Sequence, residues 1–193
     1  MTPQEALERL KEGNRRFVAG DPNPRDLRAE VLATATGQYP FAAVLSCMDS
    51  RVPAEIVLDQ GIGNLFSVRI AGNVADTGDL GSLEFAIQVV GSSLILVMGH
   101  TNCGAVRGAI EGVKLGNLTS LLEKIQPAIA TCGPGTVEDH AYVDRVAEAN
   151  VRHTMTEIRT KSPVLRGLIE SGKADLAGAL YDVATGKVRF LTP

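Results

Sequence analysis

The stretch "LILVMGHTNCGAV", residues 94–106, decides how the chain is read. Leu94 to Met98 are apolar without alternation, as in a strand covered on both faces, which is the habit of parallel sheets. His100 and Cys103 follow the run, and "GAVRGAIEG" after them has helical composition. Strand, polar turn and helix make half of a β–α–β unit. Two further runs of the same kind lie upstream, "FAAVLS" (41–46) and "LFSVRI" (65–70). Helical segments separate them: "PAEIVLD", opening at Pro53, and "DLGSLEFAIQVVG", with Leu80, Leu83, Phe85, Ala86 and Val90 favouring an inward face.

Outward from this centre the pattern continues. "NLTSLLEKIQPAIA" reads as a helix, and from about Val137 to Thr160 the residues Val143, Ala147, Val151, Met155 and Ile158 recur at steps of four and three. At the start, Thr2 can cap a helix with Pro3 at its first position and Glu5 three residues after the cap. That helix is expected to run to about Ala19, with Ala6, Leu10 and Phe17 on one thin apolar face. So thin a stripe suits a partner subunit as well as the chain's own core. Near the end, "LAGALYDVATGKVRFL" reads as a hairpin turning at Ala184-Thr185-Gly186. The expected fold is α/β. It has a mainly parallel central sheet flanked by helices, a C-terminal edge hairpin, and an N-terminal helix packing on a partner subunit. No linker, repeat or low-complexity segment interrupts residues 1–193, so a single domain is expected.

Composition narrows the function. Hydrophobic residues make up 45% of the 193 and charged residues 21%, enough for a sizeable core. The net charge of −3 and the absence of any block of like charge give no footing for nucleic acid or an anionic membrane. The opening "MTPQEALERLKEGN" has no apolar signal region, and no run is long enough to span a bilayer. A soluble, cytoplasmic protein is expected. Three cysteines are an odd number for a disulfide framework, and in a reducing compartment thiols more often serve metals or catalysis.

Reactive residues collect at strand ends, where α/β sheets place their ligands. "VLSCMDSRVPAE" (44–55) ends an apolar run in Cys47, with Asp49 and Arg51 at two-residue steps. Cys47, His100 and Cys103 offer two thiolates and an imidazole, a set that suits Zn²⁺. Three protein ligands leave a fourth position open, as catalytic sites do; Asp49 as fourth ligand would make a closed structural site, and inert core cysteines are the remaining reading. A helix opening at Gly104 would lower the Cys103 thiol. Arg51 can hold the Asp49 carboxylate ionised and off the metal, leaving it to accept a hydrogen bond from activated water; released, Asp49 could close the site. Two thiolates cancel the charge of the ion, so activity is expected to rise into mildly alkaline pH.

Cys47-x-Asp49-x-Arg51 followed by His100-x-x-Cys103 resembles the signature of the β-class carbonic anhydrases. The likeness runs from "EGNRRF" (12–17) through "GNLFSVRIAGN" (63–73) and "GSLEFAI" (81–87) to "LYDVATGKV" (180–188). It implies reversible hydration of CO₂ to bicarbonate and a proton, by attack of zinc-bound hydroxide, with one Zn²⁺ per subunit held by Cys47, His100 and Cys103. It implies catalytic roles for Asp49 and Arg51 and a homodimer or homotetramer with the site at the subunit boundary. Gln38 stands at the family's spacing for a pocket amide. Phe66, Val52 and Ala71 would supply an apolar wall for CO₂, and Phe85 replaces the pocket Tyr of many plant-type members. One subgroup has a non-catalytic bicarbonate pocket of Trp, Arg and Tyr. Arg69 and Tyr181 match it, but Val44 stands at the Trp position, so the resemblance is to the plant-type subgroup. A hydrolase of CS₂ or COS on the same scaffold is the close alternative, and a non-catalytic zinc protein the distant one.

Overall fold

Three apolar runs and the start of the hairpin assemble into one sheet. The structure, a computed structural model that describes residues 1–191, orders its five strands β2-β1-β3-β4-β5. They are β1 (Ala42–Ser46), β2 (Leu65–Arg69), β3 (Leu94–His100), β4 (Asp175–Tyr181) and β5 (Val188–Phe190). The first four are parallel, and β5 returns antiparallel on β4. Alternate β3 residues enter opposite cores, as a strand without polar alternation must. Leu94, Leu96 and Met98 pack with Ala42, Val44 and Ala179 on one face; Ile95 and Val97 pack with Ala43, Leu45 and Leu176 on the other.

The first face is closed by α1 (Pro3–Ala19) and by α3 (Ala54–Val57), a single turn with Leu58 packed at its end. Thr2 and Glu5 form the capping box: the Glu5 N–H donates to Thr2 Oγ1 at 3.2 Å, and the Thr2 N–H donates to Glu5 Oε2 at 2.7 Å. The buried stripe of α1 is Ala6, Leu10, Gly13 and Asn14, and it packs on the chain's own core. Gly13 makes this possible, because a Cβ there would lie 1.8 Å from the Leu58 carbonyl oxygen. Asn14 Nδ2 donates to the carbonyls of Val57 and Gly186, both at 2.9 Å, and its Oδ1 accepts the Val188 N–H at 2.8 Å.

The second face is closed by α4 (Thr77–Glu84), α5 (Gly104–Ile110), α6 (Gly116–Glu123), α7 (Gln126–Cys132), α8 (His140–Lys161) and α9 (Pro163–Glu170). The expected single helix over "NLTSLLEKIQPAIA" is divided into α6 and α7. Pro127 has no N–H to continue the ladder. Beyond α4 the helix widens to π-type turns over Phe85–Val90 and stops at Gly91, whose φ is +87°. Two helices went unread in the sequence. For α9, Ser162 supplies a cap to the Leu165 N–H and Pro163 stands at its first turn. The other, α2 (Leu27–Thr34), buries no residue and so carries no periodic stripe. Among the described residues no helix is long and apolar enough to cross a membrane.

Candidate metal centre

Parallel pairing places Ser46 beside Met98, so the carboxyl ends of β1 and β3 emerge together. Cys47 is the first residue past β1, His100 the last of β3, and Cys103 the residue before α5. All three are buried, and their Sγ and ring-nitrogen donors lie within 4.8 Å of one another. The connection between His100 and Cys103 turns through Asn102, which takes φ +53°, a left-handed conformation that Asn tolerates better than most residues.

The imidazole is oriented for a ligand. His100 Nδ1 lies 2.9 Å from the Thr101 carbonyl, so Nδ1 carries the proton and Nε2 the lone pair. That Nε2 is buried with no hydrogen-bond partner among the described residues, an arrangement that costs free energy unless a cation takes the lone pair. The sulfurs agree. The hydrogen bond from Cys103, opposed by burial and helped by His100 and the backbone N–H groups of Asp49 and Gly72, pulls the Cys47 thiol down to about 4. The Cys103 thiol is pushed up by the bond to Cys47 and by burial. The backbone N–H groups of Ala105 and Val106, in the first turn of α5, do lower it as expected of a helix start, but the bond to Cys47 and burial outweigh them. Two adjacent buried sulfurs cannot both be anionic without a cation. An ionised thiolate, a second thiol and an unpaired imidazole nitrogen converging on one point fit Zn²⁺.

Asp49 faces this cluster, with Oδ2 3.8 Å from His100 Nε2. Arg51 grips it from the other side: Nε donates to Oδ1 at 2.9 Å, Nη2 to Oδ2 at 2.7 Å, and the Arg51 backbone N–H to Oδ1 at 2.9 Å. The side-chain bond from Arg51, opposed by partial burial, holds the carboxylate well below its usual range. Arg69, at the end of β2, donates to the carbonyls of Cys47 at 3.2 Å and Asp49 at 2.6 Å, fixing the backbone of this loop. Gly72 donates its N–H to Cys47 Sγ at 3.4 Å.

The remaining sequence candidates are dispersed. Ala71 lines an open cleft of about 460 Å³ together with Gly104 and Ala105, next to the Cys103 ligand position. Val52 is fully buried among Ala6, Leu10 and Ala54 under α1. Phe66 and Phe85 meet edge-to-face with centroids 6.1 Å apart. They line a groove of about 660 Å³ along β2, to which none of the three metal donors contributes. Gln38 is exposed in the segment between α2 and β1. Val44 is fully buried in the core. The sequence did not single out Gly72, nor Asn102 and the α8 residues behind it; an "IAGN" segment just after a strand was the available signal.

A mixed thiolate–imidazole metal centre at the carboxyl ends of a parallel sheet, with an arginine-held carboxylate beside it, defines a metal-dependent enzyme of the α/β class. The carbonic anhydrase family model matches residues 42–188, and this chain belongs to the β-class carbonic anhydrase family. Carbonic anhydrase 2 of Mycobacterium tuberculosis (strain ATCC 25618 / H37Rv) is 36% identical over 191 residues, which cover 96% of this chain and 91% of that protein. The carbonic anhydrase of Mycolicibacterium smegmatis is 36% identical over 194 residues, covering 97% and 93%. Among solved structures, the β-carbonic anhydrase CafA of Aspergillus fumigatus superposes with a TM-score of 0.76 at 27% identity, over 97% of this chain and 89% of that one.

Proposed function

We propose that this protein catalyses the reversible hydration of CO₂ to bicarbonate and a proton, with Cys47, His100 and Cys103 holding one Zn²⁺ per subunit. The observation that carries the reading is the buried Cys–His–Cys cluster faced by an Asp49 carboxylate that Arg51 keeps engaged. Bound there, the ion would supply the Lewis acidity that makes water a nucleophile near neutral pH. The chain's own residues do the rest. Asp49, kept ionised, accepts a hydrogen bond from the attacking water and aims its lone pair. Arg51 keeps that carboxylate from turning into the cluster, and this engaged pair supports the plant-type assignment. Arg69 and Gly72 hold the loop that carries Cys47.

The apolar wall is divided between subunits in this reading. Ala71 serves its own cluster, while Gln38, Phe66 and Phe85 serve the site of a second copy. The groove of Phe66 and Phe85, which holds none of the metal donors, supports this, as do the exposed Gln38 and the exposed apolar residues of α2, Leu27, Val31 and Leu32, near it in sequence. We place the protein as a cytoplasmic homodimer or tetramer of single-domain subunits spanning residues 1–193. Metal analysis coupled to stopped-flow CO₂ hydration tests the function. One zinc per chain with rapid hydration is the expected result. A metal-free folded protein, or zinc-loaded protein that releases sulfide from CS₂ but leaves CO₂ unhydrated, overturns it.

A further inference from the structure

We infer that α8 is the brace of the metal centre, with Asn150 and Asp144 acting as positioning residues for the two loops that carry the ligands. The inference rests on the zinc reading above. Asn150 is fully buried, and its Nδ2 donates to the Gly72 carbonyl at 2.6 Å. The same Gly72 donates its N–H to Cys47 Sγ at 3.4 Å. One residue of backbone thus links α8 to a ligand sulfur. Six positions earlier on α8, Asp144 Oδ1 accepts the Asn102 N–H at 2.8 Å, inside the turn between His100 and Cys103.

Both braced residues have left-handed backbones, φ +70° at Gly72 and +53° at Asn102. Such conformations persist when the surroundings over-determine them. At Gly72 a Cβ would come 2.8 Å from Ile125 Cδ1 and 3.3 Å from Ala105 Cβ, so the peptide is confined on that side too. A donated N–H draws charge from a thiolate and fixes its direction, and outer-shell partners of this kind tune metal affinity. Among the described residues no hydrogen bond joins the Asn150 or Asp144 side chain to the metal donors or to Asp49. They act through Gly72 and Asn102.

The test compares Asn150→Leu, which keeps the branched shape and removes the donor, with Asp144→Ala and Asp144→Asn, the last retaining an acceptor. Zinc affinity is measured by chelator competition, and cobalt is loaded to read the sulfur-to-metal charge-transfer bands. The expected result is a zinc Kd raised about tenfold or more in Asn150→Leu and Asp144→Ala, with Asp144→Asn within about threefold of the parent. The charge-transfer bands shift in Asn150→Leu. Parental affinity with unmoved bands, even beside a lowered melting temperature, makes both residues mere packing and overturns the inference. Equal losses in Asp144→Ala and Asp144→Asn overturn it as well, since charge rather than the bond would then be the agent. If Asn150→Leu does not fold, the Asp144 pair decides alone. A parent that binds no zinc at all instead refutes the function proposed above.

Discussion

Asp49 receives two hydrogen bonds from the Arg51 guanidinium and one from its backbone N–H, and its carboxylate still lies within 4 Å of His100. A carboxylate so held can accept a proton-bearing bond but has little freedom to become a ligand. Asp49→Ala is therefore expected to lower CO₂ hydration by about 10²–10⁴-fold while zinc content stays at one per chain, as stopped-flow and metal analysis would read. Asp59 poses a different problem. It is buried at φ +48°, where Arg16 Nε reaches Oδ2 at 2.6 Å and Arg25 Nη2 reaches Oδ1 at 3.0 Å. Burial raises its pKa, but the bonds from Arg16, Arg25 and the Asn23 N–H outweigh it and leave it lowered. A lowered folded-state pKa gives stability that is fully present above the unfolded value, near 3.9, and is lost as pH falls through the folded one. Asp59→Asn tolerates the left-handed backbone, so it isolates the charge. It is expected to cost about 2 kcal/mol at pH 7 by denaturant titration and to flatten the decline of stability below about pH 5.

Among the elements, α1 and α2 show opposite solutions to covering an apolar face. The first drives Gly13 against the Leu58 carbonyl. Gly13→Ala should cost about 1–3 kcal/mol in denaturant unfolding, and amide exchange in α1 should accelerate more than in β3. The second leaves Leu32 70% and Leu27 58% exposed, so nothing in its own chain holds it by burial. Leu32→Glu is expected to weaken self-association at least tenfold by analytical ultracentrifugation without altering the circular dichroism of the subunit. These two helices also mark what could and could not be read in advance. The parallel strands were readable because burial on both faces leaves unbroken apolar runs, and the Cys–His–Cys cluster because Cys and His stand out at strand ends. The α2 helix left no stripe to read, because it buries nothing in its own chain. Gly72 and Asn150 were invisible for another reason. Their contact spans 78 positions, and a buried Asn in a helix looks like any polar residue until its partner is known.

For the molecule as a whole, the sheet is packed on both faces by apolar clusters that do not require the metal. The chelated protein should keep its far-ultraviolet circular dichroism but melt at a lower temperature. Free zinc at a thousandfold over its Kd adds about 4 kcal/mol, equivalent to roughly 8–16 °C for a chain of this size. Calorimetry with and without zinc measures it, and an unchanged transition contradicts a tightly held ion. The order of assembly follows from Asn14. Its side chain closes on Gly186 and Val188, more than 170 positions away, as well as on Val57. On the ribosome, then, α1 emerges long before it can settle: until residues 186–188 clear the exit tunnel, its central amide lacks two of three partners and must stay hydrated.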